Sequence, residues 1–79
     1  YKGDFKLSLK SYEEGKAIAE KLDDKNSVDK YLYNIGNVYL NTGEYQKAKD
    51  NFKEALNINK KEKDSLGMFN NLNSIADVY

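Results

Sequence analysis

The chain has no cysteine, no histidine, no proline and no tryptophan, and each absence closes something off. Without Cys there are no disulfides, thiolate nucleophiles or sulfur-ligated metals. Without His the commonest general base and the commonest transition-metal ligand are both missing. No catalysis and no cofactor are therefore expected. Without proline nothing forces a helix to break. Arginine is missing as well: the 13 basic residues are all lysine, and 13 acidic residues balance them to a net charge of zero. That balance gives no electrostatic reason to expect nucleic acid or an anionic membrane as a partner. Long apolar runs are also lacking. The longest uncharged stretch, 31–43, carries Asn34, Asn37 and Asn41 and falls short of the roughly 18 residues of a membrane span. No basic-then-apolar N-terminus reads as a signal peptide.

What is present is a repeat. The 79 residues make one small domain, with 39% hydrophobic and 33% charged residues and a mean hydropathy of −0.89. Sliding the sequence by 40 residues pairs Gly3 with Gly43, Glu14 with Glu54, Ile18 with Ile58, and Asp24 with Asp64. It also pairs Leu32 with Leu72, Ile35 with Ile75, and Tyr39 with Tyr79. Phe5/Tyr45, Ser8/Ala48, Tyr12/Phe52, Gly15/Ala55 and Gly36/Ala76 are conservative partners. The matches fall on apolar and small positions at helical spacing, as repeated packing requires. Tyr45, Ala48, Phe52, Ala55 and Leu56 recur at three- and four-residue steps, with Lys47, Lys49, Asp50, Lys53 and Glu54 on the other face. Asn26 or Ser27, and Asp64 or Ser65, suit N-caps. Asn41–Thr42–Gly43 suits a tight turn. The pattern predicts an all-α fold of four antiparallel helices, near 4–22, 27–41, 44–62 and 66–79.

These residues resemble the tetratricopeptide repeat (TPR) family, whose unit reads W-x2-L-G-x2-Y, then A-x3-F, then P. Leu32 stands in for the Trp, and Ile35, Gly36, Tyr39, Ala48 and Phe52 follow at the right spacing. Lys60 replaces the Pro, and the period of 40 exceeds the usual 34 or so. The resemblance implies an α-α superhelix, a solenoid fragment. Residues 1–26 would be the second helix of one repeat, 27–65 a complete repeat, and 66–79 the first helix of the next. Tyr1–Gly3 align with the turn at 41–43. Repeat units cannot bury their apolar faces alone, so Phe5, Leu9 and Tyr12 at one end and Leu72, Ile75 and Tyr79 at the other are expected to expose apolar surface. Either the chain is part of a longer array or another chain covers its ends, and Tyr79 followed by Tyr1 of a second copy would nearly continue the repeat.

Several features have plain structural readings. Glu13–Glu14 and Asp23–Asp24 point about 100° apart on a helix and read as solvated surface. The glycines match no phosphate-binding spacing. Lys60, Lys61 and Lys63 are diluted by Glu62 and Asp64, which argues against a nucleic-acid patch. Tyr12, Tyr39, Tyr45, Phe5 and Phe52 sit at packing positions, whereas one of Tyr31 and Tyr33 should face solvent or a ligand.

The resemblance also implies a site. In TPR proteins the first helix of each unit lines a concave groove that holds extended peptides. Carried over, that face is Lys30, Tyr33, Asn34, Asn37 and Asn41, then Asn70, Asn73, Ser74 and Asp77. Asparagine amides both donate and accept, so they can pair with a peptide backbone as a strand would. The carboxylate clamp of chaperone-binding members is not expected, because Tyr33 replaces a clamp lysine and Asn73 and Ser74 carry no positive charge. The expected function is non-catalytic binding of a protein or peptide. The alternatives are a scaffold assembling head to tail as a homo-oligomer through its terminal helices, or a regulatory segment of a larger signalling protein.

Overall fold

The computed structural model describes residues 2–79, with side chains from Phe5 onward. Four helices run α1 (Lys2–Lys21), α2 (Lys25–Asn41), α3 (Tyr45–Glu62) and α4 (Ser65–Val78), as the repeat pattern predicts. Helix α2 meets the other three: it packs on α1 and on α3 and touches α4, which packs mainly on α3. Helix α1 is already helical at Lys2, so the turn expected at residues 1–3 is absent from Lys2 onward; Tyr1 lies outside the described residues.

The three joints between helices are built alike and spaced twenty residues apart. The amides of Asp24, Glu44 and Asp64 donate to the carbonyls of Ala19, Tyr39 and Asn59, each at 2.9 Å. The residue before each, Asp23, Gly43 or Lys63, has a positive φ of 55°, 84° or 57°. This is the left-handed C-terminal motif that satisfies the last carbonyls of a helix. The same acidic residue then opens the next helix: the carbonyls of Asp24, Glu44 and Asp64 accept from Val28, Ala48 and Met68 at 3.0–3.1 Å. Asp24 caps α2, its Oδ1 accepting from the Ser27 amide at 3.3 Å and its Oδ2 from the Ser27 hydroxyl at 2.7 Å. The cap of α2 is therefore Asp24, not Asn26 or Ser27, because the joint needs one residue to end α1 and start α2. Asp64 caps α4 through the Gly67 amide at 3.0 Å, as expected. Glu44 makes no side-chain cap and pairs with exposed Lys47 at 3.1 Å.

The core lies between α2 and α3. Phe52, Ala48 and Ala55 of α3 are completely buried, with Leu32, Ile35, Val28 and Val38 of α2 almost so. A Cβ on Gly36 would stand 2.6 Å from Cε1 of Phe52, so the absence of a side chain there is what lets the two helices meet. Tyr31 packs on Tyr12, ring centroids 6.5 Å apart, and Tyr33 on Phe52 at 5.9 Å. Both tyrosines are half-buried; of the two, Tyr33 lines a surface cleft. The ends are also more selective than expected. Leu72 and Tyr79 are exposed, joined by Leu66 and Phe69 on α4, by Leu7 and Ile18 on α1 and by Leu22 just after it. Phe5, Leu9, Tyr12 and Ile75 are instead half-buried.

Two variants test this construction by urea denaturation. Gly36→Val should lose about 2 kcal/mol or more, because the added methyls overlap the Phe52 ring; unchanged stability would mean the helices can part. Lys63→Gly should gain about 1 kcal/mol by relieving the left-handed backbone of a residue with a Cβ.

Candidate groove and the buried polar joint

A cleft of about 390 Å³ opens between α2 and α4, the helices expected to be the first of their repeats. Lys30, Tyr33 and Asn34 line it from α2 and Asn70 from α4, four of the residues placed on the groove by the repeat alignment. The Tyr33 ring is fixed by its contact with Phe52, so one wall of the cleft is tied directly to the core. Asn37, Asn41, Asn73 and Asp77 do not line this cleft; Asn37 is half-buried and the other three are exposed. Ser74 is buried, so its hydroxyl belongs to the helix packing and is not presented to a ligand.

The rest of the lining could not be placed by the groove alignment: Asp29, Asp64, Leu66, Gly67 and Asn71. Asp29 and Asn71 belong to a buried polar network that joins three helices. Asn59 Nδ2 of α3 donates to Asp29 Oδ2 of α2 at 2.7 Å. Asn71 Nδ2 of α4 donates to Asn59 Oδ1 at 2.6 Å and to the Gly67 carbonyl at 3.0 Å, with Asp29 Oδ1 further off at 3.4 Å. The surroundings set the orientation of the Asn71 amide. Reversed, its oxygen would face three acceptors. Its own Oδ1 is buried and has no hydrogen-bond donor. Gly67 makes room for the network, since a Cβ there would stand 2.5 Å from Asn59 Nδ2 and 2.7 Å from Asp64 Oδ2.

The repeat carried a trace of this network. Asn59 and Asn71 stand forty residues after Ala19 and Tyr31. At the earlier joint the Tyr31 ring lies over Gly15 and Ala19 is buried. The later joint therefore replaces aromatic packing with amides and a carboxylate. Two polar residues at positions that are apolar one repeat earlier were the signal available.

Burial raises the Asp29 carboxyl above its ordinary value. The Asn59 and Asn71 amides offset part of that rise, the nearby charge of Asp64 adds to it, and Lys30 lowers it slightly. No ion pair reaches Asp29 among the described residues.

A family model of the tetratricopeptide repeat matches residues 1–61. The chain belongs to the tetratricopeptide repeat family. The match covers α1, α2 and nearly all of α3, and the helical pairing continues beyond it into α4. No curated protein and no solved structure matches the chain. TPR units generally mediate protein–protein interactions and are typically non-catalytic. Among the described residues no helix is long and apolar enough to cross a membrane.

The raised Asp29 value has a definite sign. Folded Asp29 holds its proton more tightly than unfolded Asp29, so its carboxylate costs stability near neutral pH. That cost disappears as pH falls through the raised folded value towards the ordinary aspartate value. Over this interval the wild-type chain should gain stability relative to Asp29→Asn in urea denaturation. A wild-type stability that stays level or falls relative to Asp29→Asn as pH is lowered would show that Asp29 is not desolvated.

Proposed function

We propose that the face formed by α2 and α4 binds a peptide segment or partner domain without catalysis. One observation carries this reading: the cleft brings Lys30, Tyr33 and Asn34 of one first-type helix beside Asn70 of the next. On this reading 27–65 is the complete repeat, flanked by the second helix of one unit and the first helix of another. The mechanism is preorganisation. Tyr33 is already held by Phe52, so a flexible ligand meets a wall that pays little ordering entropy on binding. Asn34 and Asn70 offer donors and an acceptor to an extended backbone, and Asn37, Asn41, Asn73 and Asp77 extend the same face beyond the cleft.

A second reading is supported by the exposed apolar side chains at both ends, Leu66, Phe69 and Leu72 on α4 with Tyr79 just after it, and Leu7 and Ile18 on α1 with Leu22 just after it. Copies stacked head to tail would cover them, in a heterologous contact that closes a ring or runs on as a filament. A sedimentation dilution series separates this from a monomer that only binds other proteins.

The groove reading is tested by capture from a lysate of the source organism, comparing the chain with Asn34→Ala/Asn37→Ala. Loss of a specific protein from the double variant is the expected outcome. Equal retention by both forms, or recovery of the chain's own copies alone, would move binding to another surface or to assembly.

A further inference from the structure

The cleft between α2 and α4 carries donors on Lys30, Tyr33, Asn34 and Asn70, but its most buried residues present acceptors. Its floor is formed by Asp29 and Asn71, both more than nine-tenths buried. Among the described residues the Asp29 carboxylate meets two side-chain amides and no ion-pairing cation. Asn71 contributes a buried carbonyl oxygen without a donor. Asp64 stands at the rim and spends Oδ1 on capping α4. Against these two carboxylates the lining holds one cation, Lys30, which is exposed and makes no ion pair with either of them among the described residues.

A buried carboxylate held only by amide dipoles, beside an unpaired carbonyl, is an arrangement short of positive charge and N–H groups. What fits must supply both. A bare divalent ion fits poorly, since calcium takes about six to eight oxygen ligands and no three His, Cys, Asp or Glu side chains gather to hold a metal among the described residues. An organic cation on an aliphatic stem fits better. Its head would meet Asp29 and Asp64, and its stem would lie along Tyr33 and Leu66, which line the same cleft. A guanidinium offers five donors in a plane and an ammonium three.

We propose that this cleft seats an arginine or lysine side chain of the bound segment, with Asp29 and Asp64 as its counter-ions and the Asn71 oxygen as a further acceptor. The proposal rests on the groove reading and adds the charge of the ligand to it. It also inverts the sign of the ligand expected of a carboxylate clamp.

The experiment selects displayed random short peptides against the whole chain, then measures the binders by fluorescence anisotropy. The proteins compared are wild type, Asp29→Asn, Asp64→Ser and Asn34→Ala/Asn37→Ala. Asp64→Ser removes a charge while keeping an N-capping oxygen, so it remains informative should Asp29→Asn prove unfolded by circular dichroism. The expected binders share an Arg or Lys, and replacing it with citrulline or norleucine should weaken binding by about tenfold. Removing either carboxylate should cost a similar factor, with little further loss when the uncharged peptide is used. Binders without a basic residue, or binders that keep their affinity in both charge variants but lose it in the asparagine variant, would overturn the cation seat and leave the groove reading standing. A library that yields no binder would overturn both.

Discussion

Everything in this fold depends on how closely α3 can approach α2. The Phe52 ring rests where Gly36 has no side chain, and Ala48 and Ala55 on the same face of α3 are fully buried beside it. The molecule is 16 Å deep in its thinnest direction, so few side chains can be far from water, and the small residues make those few count. With the backbones this close, a bulky residue at Gly36 has nowhere to go, because a packed interior yields little. The same contact reaches the surface: Phe52 also holds the Tyr33 ring that forms a wall of the cleft. Core packing and groove shape are thus set by one aromatic side chain.

The helices were legible in the sequence because each carries the same small and apolar positions forty residues apart, and packing repeats when those positions repeat. The joints were less legible. Asp24 and Asp64 are identical partners in that repeat, yet capping chemistry alone points to the short polar residue nearest the apolar stretch, which for α2 is Asn26 or Ser27. The structure instead asks one residue to close a left-handed turn and open the next helix. Only the joint as a whole shows why it must come this early. Tyr31 and Tyr33 were ambiguous for a related reason. They flank Leu32 on opposite sides of α2, and each has its own aromatic partner, one on α1 and one on α3.

The cleft was half legible. Lys30, Tyr33, Asn34 and Asn70 follow from helical position within a repeat, which is local information. Asp29, Asn59 and Asn71 come from three helices, and Asn59 lies near the end of α3 where the apolar stripe fades, so their meeting is a tertiary fact. Ser74 shows the opposite error. Position alone places it on the groove, but α4 packs against α3 so that this small side chain is buried.

The packing of α1 on α2 and that of α4 on α2 and α3 solve one problem in different ways. Between α1 and α2, Tyr31 covers Gly15 and stacks on Tyr12, burying area without demanding a particular geometry. Between α2, α3 and α4, two amides and a carboxylate meet at 2.6–2.7 Å. Such bonds contribute on the order of 1 kcal/mol each in net terms, less than a well-buried ring, but they are directional. A small displacement of α4 along or about its axis would unmake the bond from Asn71 to Asn59, whereas aromatic packing tolerates sliding. The polar joint therefore trades burial energy for a defined position of α4 relative to α2. That position sets the width of the cleft, and Asp29 is both a member of the joint and part of the cleft's floor. On the proposed reading, a charge arriving in the cleft would act on the same carboxylate that Asn59 and Asn71 hold, so ligand binding and the seating of α4 would share one side chain.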